Sequence, residues 1–252
     1  MPDGIKPRLR RWTFSPQRNS NGRQGGGVGL TEDSKRSSGV RQNSRRLRTR
    51  DQLLAAAEIL FAERAPDAVS IDEIVIAAGV AKGTYYNHFI DKADIIHAVY
   101  RRVRMRIETA IAEANREVDD PASRVARALC LYARTAIETP NAATVLTKVL
   151  EKGLPEDTPL NHGVFDDMRE GMKRDRFRIP TVEVAAILVV AVSQQLMAHI
   201  LQGEQGYAAR ILAQQLIAML LAGLGLEPSE ASAVSAKAVE DIMRAGLLNL
   251  TI

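Results

Sequence analysis

Between residues 45 and 103 the apolar positions recur at helical spacing, in short bursts separated by residues that stop helices. In RRLRTRDQLLAAAEILFAERAPDAVS, Leu53, Leu54, Ala57, Leu60 and Phe61 line one face of a 3.6-residue period. Pro66 ends that burst. Ser70 then opens a second helix as its N-cap, with Glu73 as the other half of a capping box, and Ile71, Ile74, Ala77 and Ala78 form its expected buried stripe. Gly79 closes it after two turns. A third helix is expected over residues 81–88, with Ala81, Tyr85 and Phe89 facing inward. Asp91, with Asp94 completing the first turn, caps a fourth that can run through Ile95, Val99 and Val103 toward Val118.

A two-turn helix, a turn holding a glycine and a second short helix make a helix-turn-helix, whose second helix enters the DNA major groove. Gly79 suits a turn that needs positive φ. The outward residues Lys82, Gly83, Thr84, Tyr86 and Asn87 offer neither apolar bulk nor acidic charge. Gly83 lets a phosphate approach the backbone, and the hydroxyls of Thr84 and Tyr86 can bond phosphate oxygens. Asn87 carries an amide able to pair with adenine. His88 lies on the border of the two faces, where a buried structural role and a base contact are both open. Lys92 puts a cation in the first turn of the next helix, an unfavourable place unless an anion such as a phosphate lies nearby.

The stretch from RDQLLAAAEILFAER through VSIDEIVIAAGVAKGTYYNHFIDKADII, with AAGV, KGT, Tyr86, Phe89 and Lys92 at their spacing, resembles the DNA-binding domain of the TetR/AcrR transcriptional regulators over about 50 residues. The resemblance implies phosphate contacts from Thr84, Tyr86 and Lys92, and approach to bases or backbone at Lys82, Gly83, Asn87 and His88. Three places depart from the family pattern: Ala65-Pro66 stands where a glycine and an aromatic are common, Tyr85 where an aliphatic is common, and Ile90 where a small or polar residue is common.

Beyond the fourth helix the pattern stays helical. Asp120-Pro121 starts a helix carrying Val125, Leu129, Tyr132 and Ala136, and Pro140-Asn141 starts another. GLPEDTP reads as a loop, followed by helices over about residues 160–174, 181–201, 208–224 and from Pro228 to about 244. With about ten helices and no strand signal, the fold class is all-α. The expected organisation is a basic tail at 1–44, a three-helix helix-turn-helix DNA-binding domain at 45–103, and a helical ligand-binding and dimerisation domain at 104–252. Residues 181–201 and 208–224 form a hairpin more apolar than one small domain can cover, so a homodimer is expected through them. Candidate lining for an effector pocket is Met105, Phe165, Met168, Gln194, Met197 and His199.

Charge sharpens this picture. The 252 residues are 46% hydrophobic and 25% charged with a net charge of +4, yet residues 1–50 hold 13 Lys+Arg against 3 Asp+Glu. The basic tail has no apolar periodicity and reads as disordered, either a solvated leader or an arm that touches nucleic acid. VAAILVVAV, residues 184–192, is shorter than the roughly 20 residues that cross a bilayer, so no membrane segment is expected. One cysteine, Cys130, fits a reducing cytosol and a core position. His88, His97, His162 and His199 have no metal-ligand spacing, and no catalytic motif or cofactor loop is evident. The resulting expectation is a cytoplasmic regulator, not an enzyme, that binds an approximate inverted repeat in double-stranded DNA as a homodimer and is released by a small apolar or amphipathic ligand. The alternatives are a nucleoid-type binder of low specificity and a helical ligand-binding protein without DNA binding.

Overall fold

The computed structural model describes residues 32–148, 159–203 and 206–244. Ten α-helices run in chain order: α1 (Glu32–Glu63), α2 (Ile71–Ala78), α3 (Lys82–Tyr86), α4 (Lys92–Ala114), α5 (Pro121–Glu138), α6 (Pro140–Lys148), α7 (His162–Lys173), α8 (Val182–Leu201), α9 (Tyr207–Gly223) and α10 (Pro228–Val239). Short 3-10 turns at Pro66–Ala68 and Pro159–Asn161 precede α2 and α7, and a π turn, Glu240–Arg244, extends α10. No strand occurs among the described residues, which is the all-α class expected from the pattern.

The chain divides into two units, residues 1–44 and 45–252. Residues 32–44 of the first unit are helical as part of α1, although that stretch was expected to lack structure. Once the apolar face from Leu53 to Phe61 has nucleated a helix, propagation adds one hydrogen bond per residue fixed. Residues 1–31 of the tail, and most of the loop expected at GLPEDTP, lie outside the described residues.

In the second unit, Leu53, Leu54, Ala57 and Phe61 of α1 are buried with Ile74 and Val75 of α2, Tyr85, Phe89, and Ile95 and Val99 of α4. The buried stripe of α2 differs from the expected one. Ile74 and Val75 are fully packed and Ile71 and Ala78 half-buried, while Ala77 is exposed. The set 71, 74, 75, 78 is the i, i+3, i+4, i+7 spacing of one face, and Ala77 lies off it.

Helix α5 is the centre of the remaining bundle. It packs against α4, α6, α7, α8, α9 and α10, and its face from Ala122 through Val125, Ala126, Leu129, Cys130 and Ala133 to Ala136 is buried. Alanines at these positions let neighbouring helices approach closely. Asp120 caps α5 by accepting from the Ala122 and Ser123 amides ahead of Pro121 in the first turn. Thr181 caps α8 by accepting from the Val184 amide. A Cβ on Gly171 would fall inside the Phe177 ring, so only glycine lets α7 pack on that side chain.

By length and composition α8 is apolar enough to cross a bilayer, which the run 184–192 alone did not suggest. Its apolar residues are divided between two faces. Ala185, Ala186, Val189, Leu196, Met197 and Ile200 are buried in the bundle, whereas Val184, Ile187, Leu188 and Ala191 form an exposed stripe at helical spacing.

Candidate DNA interface

The helix-turn-helix is built from local signals. The Ser70 hydroxyl accepts from the Glu73 amide at 3.2 Å and the Ser70 amide donates to Glu73 Oε2 at 2.8 Å, completing the capping box. That backbone bond, the Arg64 guanidinium at 2.7 Å and the Ser70 hydroxyl hold the Glu73 carboxyl down at about 2. Gly79 follows α2 at φ 66° and ψ 34°, its amide bonded to Ile76 O and the Val80 amide to Val75 O. These two bonds make a Schellman turn, which needs a residue at ease with positive φ.

Helix α3 is shorter than expected. It spans five residues with Ala81 as an exposed N-cap rather than an inward residue, because the extended backbone of Ala81 (φ −72°, ψ 148°) precedes the helical turn. The hydrogen bonding nevertheless continues past Tyr86, with the amides of His88 and Phe89 both bonded to Tyr85 O, so Asn87 and His88 keep the helical side-chain order. Tyr85 and Phe89 are buried as expected. Tyr85 replaces an aliphatic at no loss of hydrogen bonding: its hydroxyl donates to Asp91 O at 2.7 Å. Burial, reinforced by the charges of Asp94 and Asp91, pushes the phenol up to about 12.

The outward side chains fall where the sequence places them, with two additions. Lys82, Gly83, Tyr86 and Asn87 are exposed and Thr84 and His88 half-buried. Tyr86 stands 53% exposed, edge-on to the Tyr85 ring. A Cβ on Gly83 would meet nothing within 4 Å, and its φ is not positive, so neither packing nor backbone geometry inside the chain calls for glycine there. The face is not free of acid, contrary to the expectation: Asp72 of α2 lies 2.8 Å from the Lys82 ammonium, and that hydrogen bond raises the Lys82 pKa. Lys92 needs no phosphate to sit in the first turn of α4, since it donates to Asp67 O at 2.6 Å. That carbonyl offsets the helix-dipole cost.

Two arginines belong to this surface that the sequence reading did not single out. Arg46 Nη2 makes a long contact, 3.4 Å, with Asn87 O, and the Arg50 guanidinium stacks 5.1 Å over the Phe89 ring. Both flank His88, whose pKa is lowered by burial and then by Arg46 and Arg50. The run RRLRTR immediately before the first apolar face was the available signal. These cations give the short recognition helix a basic rim at its C-terminal end.

The residues expected to line the effector pocket fall in different surroundings. Phe165, Met168 and Met197 are buried core residues, Met105 and His199 are exposed, and Gln194 is half-buried. None of them lines the described cavities. Helices α8 and α7 carry apolar residues on more than one face, so apolar character alone could not say which face meets empty space. A cavity of about 60 Å³ lies among α4, α5, α7 and α8, with Arg104, Glu108, Tyr132, Asp167 and Ser193 on its polar side. Arg104 Nε is 3.0 Å from Glu108 Oε1, the Tyr132 hydroxyl donates to the same oxygen at 2.9 Å, and Arg104 Nη2 donates to Leu160 O at 3.2 Å. Burial raises the Glu108 pKa against the opposing pull of Arg104 and Tyr132.

Comparison with known proteins gives matches to both halves of this architecture. Residues 53–99 match the family described as bacterial regulatory proteins, tetR family, and residues 120–237 match the tetracyclin repressor-like C-terminal domain. Together the matches take in about two thirds of the chain. The HTH-type transcriptional repressor BepR of Brucella suis is 40% identical over 68 residues, 27% of this chain and 32% of that protein. The transposon Tn10 TetC protein of Escherichia coli is 41% identical over 63 residues, 25% of this chain and 32% of its own length. These matches thus span about a third of the relatives' length. Among solved structures, RolR in complex with resorcinol superposes with a TM-score of 0.54 at 24% identity, covering 77% of this chain and 96% of that one, a likeness of fold.

Proposed function

The chain belongs to the tetR family of bacterial regulatory proteins, and from that membership we propose that it is a cytoplasmic, homodimeric repressor that releases an inverted-repeat operator when a small molecule binds its C-terminal helices. Gly83 carries the reading. The fold leaves open space where its side chain would be, and a helix interior disfavours glycine relative to alanine by about 0.5–1 kcal/mol. A glycine that the folded chain does not need, at the start of an exposed helix, is explained by a partner that approaches the backbone closely. A phosphate meeting the N-terminal amides of α3 is such a partner.

Phosphate contacts fall to Thr84, Tyr86 and Lys92, and base-edge reading to Asn87, with Lys82 and His88 at the margins of the groove. Two copies joined by α8 and α9 present two such helices about one two-fold axis, so each half-site lies about one helical turn, ~10 base pairs, or slightly more from the other. The effector enters by widening the space among α4, α5, α7 and α8, which is about 60 Å³ as it stands, where Arg104, Glu108 and Tyr132 offer hydrogen bonds to a polar group and the surrounding valines, leucines and isoleucine an apolar wall. Because α4 also carries Ile95 and Val99 of the helix-turn-helix core, a shift of α4 in response changes the spacing of the recognition helices.

The test is Gly83→Ala on the full chain. Its melting temperature should hold or rise, and its affinity for a duplex selected by the wild type from a random pool should fall at least ~10-fold. An affinity that survives the substitution removes the docking of α3 from this account.

A further inference from the structure

A larger cavity lies outside the bundle interior, where α1 meets α4, α5 and α6. Its volume is about 450 Å³, within the range of small-molecule sites. Part of the lining is apolar: Val103, Ile107 and Ala110 of α4, Leu131 of α5 and Ala142 of α6. The rest comprises Thr135, Thr139, Pro140 and Asn141 with two ion pairs. Arg106 Nη2 of α4 meets Glu58 Oε1 of α1 at 2.5 Å, with both side chains mostly buried. Arg134 Nε of α5 lies 3.6 Å from Glu138 Oε2, while its Nη1 donates to Ile242 O at 3.1 Å.

The charges of these walls balance, two arginines against two glutamates, with the neutral amide of Asn141 beside them. A guanidinium presents five N–H groups in a fork that matches both oxygens of a carboxylate. Glu58 engages Arg106 through one oxygen and one nitrogen, leaving the bidentate geometry unused. Glu138 stands 3.6 Å from Arg134, beyond hydrogen-bond reach, so the close pair on this wall is Arg106 with Glu58. The hydroxyls of Thr135 and Thr139 are turned to the carbonyls of Leu131 and Thr135.

We propose that this junction cavity binds an amphipathic organic carboxylate, its apolar body against α4 and α5 and its carboxylate on Arg106 in place of Glu58. Such a ligand bears directly on α1. Polar contacts that join the side of α1 to the helices beyond include Arg106 to Glu58, Arg102 to Asp51 O at 3.3 Å, and Lys148 to Ala62 O at 2.7 Å. Taking Arg106 from Glu58 breaks the one that is an ion pair between mostly buried groups, and α1 packs the helix-turn-helix core through Leu53, Leu54, Ala57 and Phe61. The ligand therefore loosens the DNA-reading helices without acting through the bundle interior, a consequence that rests on the DNA-binding function proposed above.

Calorimetry on the full chain with 4-phenylbutyrate, 4-phenylbutylamine and 4-phenylbutan-1-ol separates charge from apolar body. The acid should bind at least ~10-fold more tightly than the alcohol, and the amine more weakly than either. Arg106→Gln should weaken the acid at least ~10-fold, Glu58→Gln should strengthen it, and Ala110→Leu, which fills the cavity and leaves the ion pair in place, should abolish binding while the melting temperature holds. Amine binding equal to acid binding, acid binding that survives both Arg106→Gln and Ala110→Leu, or no acid binding at all overturns the site. The same acid titrated into the protein–DNA complex should release DNA from the wild type and not from Ala110→Leu. Acid binding without DNA release overturns the regulatory half. Absence of DNA binding before any acid is added counts against the function proposed above and leaves the calorimetric result standing.

Discussion

Lys82, the first residue of the recognition helix, holds the carboxylate of Asp72, in the first turn of the preceding helix, at 2.8 Å across the Gly79 turn. Both groups are exposed, so the pair adds little to stability. Its weight falls on binding. Asp72 ties one of the few cations on the side proposed to face DNA to a negative charge that any phosphate there must meet.

Asp72→Asn should therefore raise affinity several-fold for operator and random duplex alike. The slope of log affinity against log salt should steepen by about 0.9 if the freed ammonium neutralises one further phosphate. Equilibrium binding at several salt concentrations reads both. A loss of operator affinity would mean that Asp72 positions Lys82 for a base instead of restraining it.

In the proposed docking of α3, Tyr86 positions the helix and Asn87 reads a base. Tyr86→Ala should stay folded, since half of the ring is in solvent, and should lose affinity for all DNA by about 1–2 kcal/mol. Asn87→Ala should lower discrimination between selected and random duplex by about 1–3 kcal/mol. Equal losses on both duplexes for Asn87→Ala would make its amide a backbone contact. Lys92→Ala is the less clean probe, because it also cuts the tie from α4 to Asp67 O.

The capping box, the Gly79 turn, the buried pair Tyr85 and Phe89 and the Asp91 cap were legible in the sequence because each is a signal carried within a few residues of itself. The order of helices beyond residue 104 was legible for the same reason: Asp120-Pro121, Pro140 and Pro228 mark starts that need no knowledge of tertiary packing. What could not be read depends on residues far apart in the chain or on which side of an apolar helix meets a neighbour. Glu58 is 48 positions from its partner Arg106, and Arg46 is 41 from Asn87. The thioethers of Met168 and Met197 are as apolar as a cavity wall would be, yet both ended in the packed core. Arg104 and Glu108, which the sequence did not single out, and Tyr132, placed on the face of the helix after Pro121, are among the polar groups that line the bundle cavity.

Tyr85 gives a pH-dependent test of the fold apart from DNA. Its phenol titrates near 10 in an unfolded chain and is pushed up to about 12 in the fold. The folded state thus keeps a proton that the unfolded state releases, so the contribution is fully present below about pH 10 and is lost as pH rises from 10 toward 12. Tyr85→Phe should remove that alkaline loss. Near neutral pH it should cost about 1 kcal/mol, because Asp91 O loses its donor. Denaturant melts at pH 7 and across the alkaline range check both parts, and an unchanged alkaline profile in Tyr85→Phe would place the titration elsewhere.

The exposed stripe of α8 is the face through which the proposed dimer would form. Val184, Ile187, Leu188 and Ala191 fall at i, i+3, i+4 and i+7, and Ile187 alone is 58% exposed. An apolar face of this kind on an otherwise charged surface is covered most simply by its own copy about a two-fold axis, where each residue meets its symmetry mate or a near neighbour. Ile187→Asp tests this more cleanly than a charge at Leu216, which is half-buried within one chain and would disturb the bundle itself. In a monomer the introduced carboxylate would simply face water, so the variant should keep its melting behaviour at low concentration. In the dimer it would be buried uncompensated next to its mate, at a cost of several kcal/mol. Light scattering at micromolar concentration should then show dimer for the wild type and monomer for Ile187→Asp, with operator affinity lost in step as two half-sites can no longer be held together. A variant that remains dimeric places the two-fold axis on another face, and a monomeric wild type that still selects an inverted repeat overturns the preformed dimer.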